Sequence, residues 1–335
     1  MTTAVVVGAG IAGLAAAVGL HRAGWSVQVL EQRPELPTAG TAVVLHRSAL
    51  EGLASLGLGT GLATRAIPLT ELQLRTRTGV PITPSRPGSG SALIDRSALV
   101  DLLRASLPEP VVALGRSLAV RDLPDLRAQA DLVVAADGVH SSLRQELFGC
   151  AYRATATGTT VWRGTADMVT TGLTEYWGQR RRFGISGHPG GGTNWYATAL
   201  LPPTPAGSAQ PGPDELRRLF GHWSAPVAAT LAKIDEGTVL RHGIYHLARR
   251  LPLYHRGNVA LVGDAAHAMT PDLGRGANEA ILDALSLTRS LEAGHGVDLA
   301  LAAYDKSRRR PTQVAATGSA VLDTLIHRGL WRPSA

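Results

Sequence analysis

Short runs that are apolar at every position recur along this chain, and each ends on a glycine or an acid. Val5, Val6 and Val7 are β-branched and lead directly into Gly8. Leu132 to Ala136 leads into Asp137-Gly138, and Val259 to Val262 leads into Gly263-Asp264. A strand covered by helices on both faces must be apolar all round, so these runs predict parallel strands, each opening into a tight turn. Ile11 to about Ala23 is small and apolar and stops at Gly24, the C-cap residue a helix favours, which predicts a helix. "SVQVLEQR" predicts a second parallel strand with Glu31 at its carboxyl end. Further helices are predicted after Asp137-Gly138, with Ser141 and Ser142 in the first turn, and from about Ala277. The latter is opened by Gly274 and Gly276 beyond a loop containing Pro271.

From about Thr155 to Leu251 the pattern changes. "TGTTVWRGTA" and "TNWYATALL" alternate, which predicts antiparallel strands. Gly190 to Gly192 predict a hairpin turn. "PPTPAGSAQPGPDE" predicts a loop whose Asp214-Glu215 begins a helix running through His222. The chain therefore reads as α/β: a doubly wound parallel unit carrying an inserted antiparallel sheet.

Composition narrows the partners. With 335 residues, 44% hydrophobic, the chain can bury a large core or two that share an interface. No apolar run reaches the roughly 18 residues that span a bilayer, and no cleavable leader opens the chain, so a cytoplasmic protein without a membrane partner is expected. The single cysteine, Cys150, excludes an internal disulfide framework and a Cys-based metal cluster, and no metal is expected. The net charge is +7, but only Lys233 and Lys306 are lysines, no long basic tract occurs, and 4% aromatic residues make a poor base-stacking platform. Nucleic acid is not expected as a partner; a dinucleotide is anion enough for a basic chain.

Gly8, Gly10 and Gly13 have G-x-G-x-x-G spacing between the first strand and the first helix. The first permits the turn, the second lets the backbone approach a pyrophosphate, and the third lets helix and strand pack closely. The helix N-terminus supplies positive field to the phosphates. Glu31 can accept hydrogen bonds from ribose hydroxyls while repelling a 2′-phosphate, so this unit allows FAD or NAD and disfavours NADP. Arg33 is read equally as an adenosine contact or a solvated loop residue.

These stretches resemble the glycine-rich fingerprint, the DG motif and the GD motif of the class A flavin-dependent monooxygenases, the family of para-hydroxybenzoate and salicylate hydroxylases. "GTAVVLHRSALEGLASLGL" from Gly40, "IDRSALVDLL" from Ile94 and "YDKSRRRP" from Tyr304 resemble further segments of that family, in the same order. The resemblance implies a Rossmann-like FAD-binding domain of glutathione-reductase type from residues 1–75, 92–154 and 252–300. It implies a substrate-binding sheet from 76–91 and 155–251, and a C-terminal helical segment, 301–335. By position, Gly8, Gly10, Ile11, Ala12 and Gly13 would wrap the FAD pyrophosphate. Glu31 would hold the adenosine ribose with Arg33 beside it, and Arg96 would reach a phosphate or the ribityl chain. Asp264 would bind ribityl hydroxyls. Gly274, Arg275, Gly276, Ala277 and Asn278 would face the isoalloxazine, and Asp137 and Gly138 would serve both FAD and a transient NADPH or NADH.

Two departures from the family stand out. Only "RASLPEPVVALGRSLAVRDLPDLRAQ" is available for the β-meander over the adenosine, so a shortened version is expected, from Val111 to Leu114 and Leu118 to Val120. Arg275 replaces the usual glutamine of the G-Q-G-x-N segment. On the substrate side, Arg163, Trp195, Tyr196 and Pro271 are candidate pocket residues, and Arg182 and His242 are candidates for catalysis. Arg182 resembles an anion anchor of some relatives; Arg180 to Arg182 read equally as a solvated charge run. His267 of "GDAAH" reads as a structural histidine. The implied activity is hydroxylation or epoxidation of a small aromatic or polyketide-like substrate by O2 through a flavin hydroperoxide, in a monomer or homodimer. The alternative is a non-oxygenating flavoprotein, either a dehydrogenase or an FAD-scaffolded cyclase.

Overall fold

A computed structural model describes residues 1–36, 41–87, 90–201 and 213–328. The expected start at Gly40, most of the Pro- and Gly-rich loop after Leu201, and the last residues of the C-terminal segment lie outside these. The chain opens with β1 (Thr3–Val7), α1 (Ile11–Arg22) and β2 (Ser26–Glu31). There follow β3 (Ala42–Leu45), α2 (Arg47–Ser55), α3 (Gly59–Ala63), β4 (Ala66–Pro68), β5 (Glu71–Thr76), β6 (Arg86–Pro87) and β7 (Ala92–Asp95). α4 (Arg96–Arg104), β8 (Val112–Leu114), α5 (Leu123–Gln129), β9 (Leu132–Ala135) and α6 (Ser142–Phe148) come next. The middle carries β10 (Thr155–Ala166), β11 (Leu173–Gly178), β12 (Arg181–Gly187), β13 (Thr193–Leu200), α7 (Pro213–Phe220), α8 (Ala225–Ala232) and β14 (Leu240–His246). β15 (His255–Arg256), β16 (Val259–Leu261), α9 (Asp264–His267), α10 (Gly276–Glu292) and α11 (Val297–His327) close the chain.

The first sheet has the order β15-β16-β9-β1-β2-β8, with β1 parallel to both β2 and β9. The apolar runs read as doubly covered strands lie at its centre, where Val6, Val133, Val134 and Leu261 are fully buried. α1 packs on one face, its Leu14, Ala15, Ala16, Ala17 and Leu20 inaccessible to solvent, and α10 lies against it. The second sheet has the order β14-β10-β13-β12-β11-β5-β6. Trp162, Phe183 and Trp195 on one of its faces, with Phe220 and Trp223 from α7 and the turn after it, make a separate core. α11 spans both layers: the Tyr304 hydroxyl donates to the Leu261 carbonyl at 2.7 Å, and the Arg180 amide donates to the Ile326 carbonyl at 3.2 Å.

Two expectations require correction. β5 pairs in parallel with β11, so Glu71 to Arg75, assigned to the first domain, belong to the second sheet, which is therefore not wholly antiparallel. The expected strand at Leu118 to Val120 is absent: Val120–Asp122 is a 3-10 turn leading into α5. The physical reason is topological. β8 joins the edge of the first sheet in parallel with β2, and the chain must then cross over to β9, a parallel neighbour of β1. A parallel connection needs a crossover, here the helix α5, which leaves no chain for a meander.

Candidate functional site

The glycines of the first turn do three separate jobs. Gly8 has φ +107° and receives no side chain, since a Cβ there would lie 2.4 Å from the Ala136 carbonyl oxygen. A Cβ at Gly13 would fall 1.9 Å from the Gly8 oxygen, so helix and turn touch there. A Cβ at Gly10 would meet nothing within 4 Å. Gly10 thus borders open space at the start of α1, an end with neither a side-chain cap nor an acid in its first turn. Such an end leaves N–H groups and positive field for an anion. Ile11, by contrast, is buried in the core, so only its main chain can take part. Beside the turn, Glu31 accepts the Ala9 amide at 2.8 Å and the Arg33 amide at 3.0 Å, which fixes its carboxylate at the strand end. The Arg33 side chain is exposed.

Across the sheet, Asp137 precedes α6, whose N-cap is Ser141: one Asp137 oxygen accepts from the Leu143 amide at 3.1 Å, and the other is buried without a partner. Asp264 is exposed at the head of α9. Between the two motifs lies a residue that sequence reasoning missed. Arg144 is wholly buried and donates to the carbonyls of Val139 (2.7 Å), Tyr152 (2.8 Å), Ala265 (3.1 Å) and Asp264 (3.2 Å). Burial lowers its pKa against the pull of Asp137 and Asp264. It locks the DG turn to the GD turn, and its only sequence signal was an arginine in the first turn of a helix that follows an apolar strand.

At the head of α10, Gly274 and Gly276, like Gly138, border open space. α10 has no side-chain cap. Asn278, expected at the ring, has its side chain engaged elsewhere. It donates to the Val44 carbonyl at 2.9 Å and the Gly274 carbonyl at 3.0 Å and accepts the His46 amide at 2.7 Å, leaving its main chain alone for a ligand. Ala277 is half-buried beside it. Arg275 turns away onto Glu279 at 2.8 Å, which shows how arginine is accommodated there. Glu279 also meets Arg308, Arg308 reaches Asp283 at 2.7 Å, and Asp283 holds the His267 ring at 2.5 Å. Burial would lower the His267 pKa, but Asp283 outweighs it and the net shift is upward.

The substrate sheet separates residues that the sequence reading grouped. Neighbouring residues on a strand point to opposite faces, so Trp195 and Tyr196 cannot both face a ligand. Trp195 is 1% exposed, stacks on Phe183 at 5.9 Å and donates to the Thr165 carbonyl at 3.0 Å: it is a core residue, not a pocket residue. Tyr196 lies on the other face, directly opposite Arg163, and its hydroxyl donates to Glu175. Arg182 is neither solvated nor free. It is 2% exposed, lies 3.1 Å from an Asp272 oxygen and 3.7 Å from Glu175, and sits 5.4 Å over the Tyr196 ring. Two carboxylates already answer its charge, which corrects its expected role as anion anchor. Asp272 also gathers with Asp323 and His327 within 4.8 Å, but Arg182 supplies the cation there. Pro271 is exposed at the start of the turn that buries Asp272.

Arg163 presents a different picture. Its Nε is buried without a partner, and burial, with Arg96 adding to it, pulls its pKa down to about 10. His242 is lowered by burial, then by Arg163 and Arg96. Strand register sets Arg163 and His242 as diagonal neighbours on one face of the second sheet, and Arg96 is exposed at the first position of α4. A groove of about 780 Å³ bordered by Glu51, Leu285 and Arg289 shares no residue with this site. Among the described residues no helix is long and apolar enough to cross a membrane.

Residues 1–128 and 116–319 match a family model described as FAD binding domain. The aurachin C monooxygenase/isomerase of Stigmatella aurantiaca is 30% identical over 331 residues, which cover 91% of this chain and 85% of that protein. The 3-amino-4-hydroxybenzoate 2-monooxygenase of Streptomyces cremeus is 33% identical over 333 residues, 91% of this chain and 82% of that protein. Among solved structures, Klebsiella pneumoniae HpxO complexed with FAD and uric acid is similar at 26% identity with a TM-score of 0.85, covering 97% of this chain and 89% of that chain.

Proposed function

The chain belongs to the FAD-binding domain family of flavin-dependent monooxygenases, and from that premise we propose that it uses NADPH or NADH and O2 to hydroxylate a small aromatic substrate, acting in the cytoplasm. The observation that carries the FAD assignment is the unequal packing of the glycines. Gly8 and Gly13 are closed by backbone, whereas Gly10, Gly138, Gly274 and Gly276 border open space. The open positions include the heads of α1 and α10, two uncapped helix ends that suit the opposite ends of one long dinucleotide.

In this reading the head of α1 with Gly10 holds the pyrophosphate, Glu31 accepts the ribose hydroxyls, and the exposed Asp264 takes the ribityl hydroxyls. Main-chain N–H groups from Arg275 to Asn278 stabilise negative charge on the ring edge, as fixed donors do wherever charge develops. Bound FAD supplies the redox chemistry, accepting electrons from the nicotinamide and activating O2. The protein orients the aromatic ring against the Tyr196 face of the second sheet and keeps water out.

The test is direct. Purified protein should be yellow and release FAD on denaturation. An aromatic substrate should accelerate NADPH or NADH oxidation with matching O2 uptake, and ¹⁸O2 should label the product. Turnover that proceeds anaerobically, without O2 uptake, would replace this reading with the non-oxygenating one.

A further inference from the structure

We propose that Ser319 is a positioning residue for the flavin ring: from α11 it fixes the turn that leads into the ring-edge amides of Arg275 to Asn278. The inference rests on the reading that places the ring against the head of α10.

The turn is Pro271–Leu273, a single 3-10 turn with Thr270 at its N-cap position. A threonine there ordinarily caps through its own hydroxyl, which accepts an amide two or three residues on. Thr270 makes no such cap. The cap comes from another helix. The Ser319 hydroxyl accepts the Leu273 amide at 3.3 Å and donates to the Thr270 carbonyl at 2.7 Å, across 46 and 49 residues of chain. One side chain thus holds both ends of the turn. Ser319 is inaccessible to solvent and Thr270 is 1% exposed, so water does not compete for the shorter bond. The α11 backbone also lies close, since a Cβ at Gly318 would stand 3.3 Å from the Leu273 side chain.

A local cap and a distant one satisfy the same amide but determine different things. The local one fixes the shape of the turn, whereas Ser319 fixes its place against α11. That helix is a firm reference, tied to the first sheet through Tyr304 and to the second through Ile326. From the other side, Asp272 of the same turn meets Arg182 of β12 at 3.1 Å. The chain then runs directly into the ring site. The Gly274 amide donates to the Pro271 carbonyl at 2.8 Å, and the Gly274 carbonyl accepts from the Asn278 side chain at 3.0 Å. A displaced turn therefore displaces the head of α10, whose first amides have no partner within the helix. Donors stabilise developing charge best when their place is set beforehand. A long-range cap on this turn sets it.

The test compares wild type, Ser319→Ala and Thr312→Val. Thr312→Val is the control, because it removes another buried hydroxyl of α11, bonded to Tyr254 at 2.6 Å and about two helical turns from Ser319. In FAD-loaded protein, sulfite affinity of the oxidised flavin and the two-electron midpoint potential report how well negative charge on the ring edge is stabilised. Ser319→Ala should weaken sulfite binding about tenfold, the scale of one charge-assisted hydrogen bond partly lost. It should lower the potential by about 30 mV, the same factor for two electrons. Thr312→Val should lower the melting temperature and leave both flavin readouts at wild-type values. In ligand-free protein, hydrogen exchange over residues 270–278 should quicken in Ser319→Ala and not in Thr312→Val. The proposal is overturned if Ser319→Ala matches Thr312→Val in sulfite affinity and potential, or if its turn exchanges as slowly as that of the wild type; the ring reading then stands. FAD that fails to slow exchange over residues 275–278 in the wild type overturns the ring reading and this proposal with it.

Discussion

Adding a single methyl group at Gly13 or at Gly10 separates packing from ligand binding in the first turn. At Gly13 the new Cβ would lie 1.9 Å from the Gly8 oxygen and 3.1 Å from the Ala136 side chain. Ordinary contact distances are about 3.5 Å, so α1 must withdraw by more than about 1 Å. It has nowhere to go, because Leu14, Ala15, Ala16, Ala17 and Leu20 are all inaccessible to solvent. Overpacking of this kind costs about 2–3 kcal/mol. For a chain of 335 residues, whose unfolding entropy is about 0.7 kcal/mol/K, that lowers the melting temperature by about 3–4 °C. Gly10 has φ −77° and ψ −179°, a backbone that alanine adopts freely, and its Cβ would meet nothing within 4 Å. Gly10→Ala should therefore leave the ligand-free protein unchanged or more stable by about 0.5–1 kcal/mol. FAD must approach that open face, so its affinity should fall by about thirtyfold or more, because the second glycine of the fingerprint exists for close approach. Thermal denaturation of ligand-free protein and fluorescence titration with FAD read the two effects separately. Wild-type FAD affinity in Gly10→Ala, or wild-type stability in Gly13→Ala, would refute the reasoning.

Four further outcomes follow from the site. Trp195→Ala should cost about 3–5 kcal/mol in urea denaturation, as expected for a buried aromatic, and should leave the relative affinities of aromatic ligands for the folded fraction unchanged. Asp272→Asn leaves Glu175, 3.7 Å away, as the carboxylate paired with Arg182 among the described residues; breaking one arm of a buried ion pair should lower stability by about 2–3 kcal/mol, read as a shifted urea midpoint at constant slope. Glu31→Gln should weaken FAD about tenfold to a hundredfold in equilibrium dialysis, since a charge-assisted acceptor for ribose is lost. His267 is raised above its ordinary 6.5 and Asp283 is lowered below 3.8. The His267 contribution is complete below 6.5 and fades as pH rises through its folded value, while that of Asp283 fades as pH falls below 3.8. Melting temperature against pH should decline on the alkaline side, and His267→Asn should flatten that decline.

The first sheet was legible because its signals are local. Val5 to Val7, the glycine turn and Glu31 each state their role within a few neighbours, and the same holds for the heads of α6 and α10. Asn278 and Arg275 lie in the expected stretch, but their side chains are committed to Val44, His46 and Glu279, partners that no local motif specified. The missing second strand near Leu118 failed for a related reason. Its alternatives, meander or crossover helix, differ only in where β8 docks.

What the residues determined unaided is the central parallel strands of the first sheet with their glycine turns and the helices these open into, since sterics, capping and two-sided burial act over short stretches of chain. Tertiary structure decided which charges are free. Arg182 meets Asp272 across 90 residues, and Arg163 meets no carboxylate among the described residues, although both arginines looked alike along the chain. Strand register sets face and partner over long separations, and the energy of a buried charge depends on the partner it finds there.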